Sequence, residues 1–138
     1  MPRVLKRRDF SRWQAREKIP DAVLCKAVNE METGLIDADL GGCLYKKRIA
    51  RSGFGKISGY RLLLSARLGE RYLFVHGFSK SDKENITQDE RRSLRHAARK
   101  YLELPSAELG EAFKQGMIEE VRCEQNHRVP APGIRRAL

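Results

Sequence analysis

Three short runs, Leu44 to Ile49, Tyr60 to Leu68 and Arg71 to Phe78, are dense in leucine, β-branched and aromatic residues, and the last two flank a single turn signal, Leu68-Gly69-Glu70. Short runs of this composition, two of them joined by a hairpin turn, predict an antiparallel sheet. On either side the apolar period becomes helical. Asp9 can cap a helix running to about Lys18, and Pro20 fits the first turn of a second helix ending near Gly34, the two forming a hairpin. In the second helix Leu24, Ala27, Val28 and Met31 fall on one stripe, with Lys26, Asn29, Glu30 and Glu32 facing water. Downstream, Thr87-Gln-Asp-Glu90 is a capping box ahead of Leu94, Ala97, Ala98, Tyr101 and Leu102. Pro105 ends that helix, Ser106 starts another, and Gly116 stops it before a final strand near Met117–Val121. The fold class is therefore α+β: an antiparallel sheet packed by an N-terminal helical hairpin and by C-terminal helices.

A chain of 138 residues, 41% hydrophobic, can bury one core, which predicts one domain over residues 1–123. Residues 124–138 lack any period and are expected to be a disordered basic tail. No long apolar run follows the basic start, so neither a secretory signal nor a membrane span is expected, and a cytoplasmic location follows. Cys25, Cys43 and Cys123 are odd in number and far apart, which predicts buried thiols rather than a disulfide framework or a zinc site. No metal or other cofactor is expected.

Charge narrows the function. The formal net charge is +10, and from Leu40 to Gly69 there are seven Lys or Arg and no Asp or Glu. Cations in this density neutralise phosphates and release counterions, pointing to nucleic acid; a solvated face that merely confers solubility is the alternative. On the strand Tyr60–Leu68, Arg61 and Arg67 alternate with Tyr60, Leu62, Leu64 and Ala66, so one sheet face is expected to carry helices and the other to present cations. Glycines at 53, 55 and 59 make the segment around Lys56 a loop. Gly53-Phe-Gly55-Lys56 lacks the spacing and the strand–helix setting of a nucleotide loop. From Leu102 to Glu124 the charge reverses, with six acidic and two basic residues; the two readings are a segment folded back over the basic sheet and a solvated helix face, the second being preferred.

The string Tyr45-Lys-Lys-Arg-Ile-Ala-Arg-x-Gly-x-Gly-Lys-x-x-Gly-Tyr-Arg61, followed by Phe74-Val-His-Gly-Phe-Ser-Lys80, Asn85-Ile86, Leu104-Pro-Ser-x-x-x-Leu109 and Gly116-Met-Ile-Glu-Glu-Val121, resembles the RelE/HigB-type toxins of bacterial type II toxin–antitoxin modules. The likeness spans about residues 3 to 121. It implies a small RelE-like fold and an endoribonuclease that cleaves messenger RNA, usually at the ribosomal A site. It also implies a cognate antitoxin as partner, of the small helix-turn-helix kind. Cutting RNA without a metal requires activating the ribose 2′-hydroxyl, stabilising the charge on the phosphorane-like state and protonating the leaving 5′-oxygen. By resemblance the catalytic residues are Lys56, Arg61 and Lys80, with Lys46, Lys47, Arg48 and Arg51 binding RNA. Arg61 is the strongest of these, because a guanidinium on a rigid strand holds phosphate bidentately. His76 reads more readily as a core histidine than as a general acid, and Tyr60 as core. The chain after Val121 carries none of the catalytic tyrosines found near the end of some relatives, which leaves the general base open. A ParE-like inhibitor of DNA gyrase and a non-catalytic RNA- or ribosome-binding module are the competing readings.

Overall fold

The computed structural model describes residues 2–51, 55–79 and 86–123, and the side chains of residues 51 and 55–58 lie outside that description. In chain order the elements are β1 (Arg3–Arg7), α1 (Arg8–Arg16), α2 (Asp21–Glu32), β2 (Ala38–Asp39), β3 (Leu44–Arg51), β4 (Gly55–Arg67), β5 (Arg71–Ser79), α3 (Gln88–Glu103), α4 (Ser106–Lys114) and β6 (Ile118–Glu120). The strands form one six-stranded sheet in the order β2-β3-β4-β5-β1-β6.

The β4–β5 hairpin forms where the sequence places it. Its turn is closed by the Glu70 N–H donating to the Arg67 carbonyl at 2.9 Å, and Gly69 takes φ of 83°, a conformation that disfavours a side chain. β3 joins antiparallel on the other side of β4. The expectation of a purely antiparallel sheet needs correction: β1 enters parallel to β5, and β6 then pairs antiparallel with β1, making the sheet mixed. β1 and the short β2 were not expected. β1 is a central strand with Val4 buried on one face and Leu5 on the other, and its Lys6 is held by Gln14 (2.8 Å) and Asp21 (3.0 Å).

Both faces of the sheet are covered. On one, α1 and α2 place Phe10, Leu24, Val28 and Met31 against Leu62, Leu64, Tyr72 and Phe74. Trp13 lies on Gly77, where a Cβ would come within 2.2 Å of the indole, and its ring meets Tyr60 edge-on at 5.5 Å. On the other face, α3 and α4 bring Ala98, Tyr101 and Leu109 against Leu44, Leu63 and Leu73. The expected open cationic face is thus mostly a second core, and only one end of it is polar.

α3 starts at the expected capping box: Glu90 N–H donates to Thr87 Oγ1 (3.1 Å) and Thr87 N–H to the Glu90 carboxylate (2.8 Å). Its C-terminal carbonyls are gathered by one guanidinium, with Arg71 donating to Tyr101, Leu102 and Leu104 at 2.8 to 3.2 Å. Other local expectations shift. Asp9 sits in the first turn of α1, whose N-cap position is Arg7. Glu30 and Glu32 do not simply face water, since Glu30 holds Lys47 and Glu32 accepts from the Tyr72 hydroxyl. That hydroxyl is pushed up to about 12 by burial and by the Glu32 carboxylate. Cys25 and Cys123 are joined as a disulfide rather than free, and Cys43 is an exposed thiol. The proposed tail, 124–138, lies outside the described residues.

Candidate functional site

Strand register decides which cations meet. Lys46 pairs with Leu63 and Leu63 with His76; one step along, Arg48 pairs with Arg61 and Arg61 with Phe78. Directly opposed residues share a face, as do residues two apart on one strand. The two rows, Lys46–Leu63–His76 and Arg48–Arg61–Phe78, therefore lie together on the face covered by α3 and α4. Leu63 and Phe78 belong to the core there, so the cations begin where the apolar layer ends.

Arg61 is 6% exposed yet lies opposite Arg48, whose side chain is 45% exposed. Burial lowers the Arg61 pKa, the Arg48 charge lowers it further, and Asp37 only partly offsets this. Two like charges on one face are unfavourable alone and favourable when an anion lies between them. Arg61 also donates to the Gly59 carbonyl at 3.4 Å. Asp37 fixes Arg48 by accepting from its backbone N–H at 2.7 Å and from its Nε at 3.3 Å. Partial burial pushes the Asp37 carboxyl up, but those bonds and the nearby Lys47 ammonium leave it below the ordinary carboxylate value. Nothing in the sequence singles out Asp37, because its contact depends on the short β2 turning it against β3.

Lys46 is partly buried on the Arg48 face. Lys47 is not with them. It points to the α2 side, 2% exposed, with its ammonium 2.6 Å from Glu30 and 3.6 Å from Asp37. Adjacent strand residues face opposite ways, and that alternation was the signal separating Lys47 from its neighbours. Lys56 belongs to β4 rather than to a glycine loop, and Arg51 ends β3. Their side chains, and Lys80 altogether, lie outside the described residues. His76 and Phe78 bring their rings to 5.8 Å, placing an imidazole one row from the arginine pair. Tyr60 is buried on the α1 side and donates to Glu17 at 3.0 Å, so it is core. The acidic C-terminal segment lies across the sheet from these cations: Glu120 pairs with Arg3 at 3.1 Å on the β1–β6 edge.

An α+β fold built on one six-stranded sheet agrees with the small RelE-like fold that the sequence resemblance implies, and a family model decides the assignment. The model for the RelE toxin of RelE/RelB toxin–antitoxin systems matches residues 2–121. The chain belongs to the RelE toxin family. The RelE match takes in every described strand of the sheet, from β1 to β6. Neither curated proteins nor solved structures give a significant match. Among the described residues, no helix is long and apolar enough to cross a membrane, and no group of three or more His, Cys, Asp or Glu could hold a metal.

Proposed function

We propose that this RelE-family toxin is a cytoplasmic endoribonuclease that cuts messenger RNA on the ribosome, without a metal, and is restrained by a small helix-turn-helix antitoxin. The observation that carries the reading is the Arg48–Arg61 pair. Two guanidinia sit on a rigid sheet, one buried and one pinned by Asp37, and their mutual repulsion is relieved by a phosphate. The 2′-hydroxyl attacks the adjacent phosphorus and the bond to the 5′-oxygen breaks, giving a cyclic phosphate and a free 5′-hydroxyl. Arg61 and Arg48 neutralise the non-bridging oxygens as charge builds. Lys46 extends the cationic surface along β3, and Arg51 serves as a further backbone contact. Proton transfer falls to Lys56 and Lys80, with His76 as an added candidate because its row adjoins the arginine pair. Lys47 has no part in this chemistry, since its ammonium is committed to Glu30.

Primer extension on messenger RNA after brief induction without antitoxin tests the reading. Discrete new 5′ ends should accumulate within coding sequence while translation stops, and Arg61→Ala should abolish both in a soluble, folded protein. Intact messenger RNA with blocked gyrase would favour the ParE-like alternative instead. Intact messenger RNA with ribosomes merely occupied would favour the binding module.

A further inference from the structure

A second cationic surface lies on the other flank of α3. α3 turns Arg95 toward β2 and β3, where it donates to the Leu40 carbonyl at 2.9 Å. The adjoining flank of α3 carries His96, Arg99 and Lys100, spaced three and four residues apart and hence on one stripe. Across from it, Arg8 and Arg12 form a matching stripe on α1. Between the two helices is a cleft of about 820 Å³, with Tyr101 and Met117 also in its lining and none of Lys46, Arg48, Arg61 or His76.

The cleft is strongly unbalanced in charge. Five lining cations face two carboxylates, and both carboxylates are engaged, Asp9 with Arg7 at 3.0 Å and Glu103 with Arg99 at 3.6 Å. The side chains of Arg8 and Arg12 make no ion pair or hydrogen bond with any described residue. The wall is firmly set, because the Arg8 N–H donates to the Met117 carbonyl at 3.1 Å and so ties the start of α1 to the lining. A small-molecule pocket of this size is ordinarily lined by apolar and aromatic groups with few charges. An amphipathic helix from a protein partner needs several apolar anchors, and here the walls are charged. Guanidinium-rich walls suit a row of phosphates.

We infer that this α1–α3 cleft seats a backbone ridge of structured RNA, separate from the strand that meets Arg48 and Arg61. The inference deepens the ribonuclease reading and rests on it for its biological setting. The toxin then holds RNA at two places on either side of α3. Each weak contact raises the effective concentration of the other.

The test is equilibrium binding of the full chain to a blunt-ended RNA duplex across a range of KCl concentrations. Removing two cleft charges with Arg12→Gln/Lys100→Gln should make the plot of log affinity against log salt shallower by about 2, and should weaken binding by roughly tenfold at moderate salt. The charge-conserving Arg12→Lys/Lys100→Arg pair should match the parent within about twofold, which separates lost charge from lost fold. An unchanged slope in the Gln pair overturns the inference, as does an equal loss in the charge-conserving pair. So does loss of antitoxin binding with duplex binding intact, which would make the cleft a protein site. The readout is binding rather than cleavage, so a parent protein that cuts no RNA would defeat the ribonuclease reading and leave this measurement standing. Conversely, an Arg61→Ala protein that loses cleavage and still binds duplex with the parent salt slope supports two separate surfaces.

Discussion

Replacing Lys47 by methionine separates structural from functional charge in the basic run, because Lys47 and Arg48 are neighbours facing opposite sides of the sheet. The Lys47 ammonium is 2.6 Å from Glu30 and 3.6 Å from Asp37, and its side chain is 3% exposed while theirs are 21% and 19%. Breaking a buried ion pair costs about 3–5 kcal/mol, and because water reaches both carboxylates here we expect about 2–3 kcal/mol for Lys47→Met. Methionine keeps the volume of the stem. Lys47→Ala also loses roughly three buried methylenes at about 0.8 kcal/mol each, so it should cost about 4–5 kcal/mol. Asp37 gives the pH dependence its sign. Its folded pKa lies below 3.8, so its contribution to stability is present above that value and is lost as pH falls through the folded pKa. Removing Lys47 weakens that depression, and the gap between parent and Lys47→Met should narrow as the pH drops below about 4. Urea melts at neutral and acid pH measure this, with RNA cleavage assayed below the melting transition. Two results would refute the reasoning: a Lys47→Met protein within about 0.5 kcal/mol of the parent, or one of parental stability that has lost RNA cleavage.

Gly77→Ala should cost about 2–3 kcal/mol, because its Cβ would displace Trp13 from its contacts with Phe10 and Tyr60, and thermal melts should register a drop of several degrees. Alkylation of the folded, unreduced protein should label Cys43 alone, whereas reduction and unfolding should expose all three cysteines to mass spectrometry. Cleavage by preassembled toxin–ribosome complexes should persist in EDTA, provided the buffer separately preserves the ribosome; activity restored only by a divalent ion bound to the toxin would contradict the proposed chemistry.

The β3–β4–β5 segment and α3 were legible because their signals are local: alternation around Leu62 and Leu64, a glycine at the turn, and a capping box four residues wide. β1 was not, because Arg3-Val-Leu-Lys-Arg7 has only two apolar residues and its strand state comes from a parallel partner some 68 positions away, Arg3 lying against Arg71. Burial of Lys6 depends on Gln14 and Asp21, which no strand propensity encodes. The covered second face did leave a trace. Leu62-Leu63-Leu64 is apolar without alternation, the mark of a strand buried on both sides, and it competed with the charges of Arg61 and Arg67. Within the site, strand order and register suffice to bring Arg48 and Arg61 together, whereas the hold of Asp37 on Arg48 and the cleft between α1 and α3 depend on packing that spacing does not carry.

The place of β1 between β5 and β6 has a consequence for the timing of assembly. β1, which precedes the other described strands in chain order, must wait for one neighbour until residue 71 and for the other until residue 118, since Arg3 lies beside Arg71 and Arg7 beside Ile118. Synthesis therefore delivers the arginine-bearing strands β3 to β5 before the edge that completes the sheet can close. Pairings so distant in sequence form late. A toxin built this way completes its sheet only once residue 118 is available, a delay that gives an antitoxin already in the cell time to meet it.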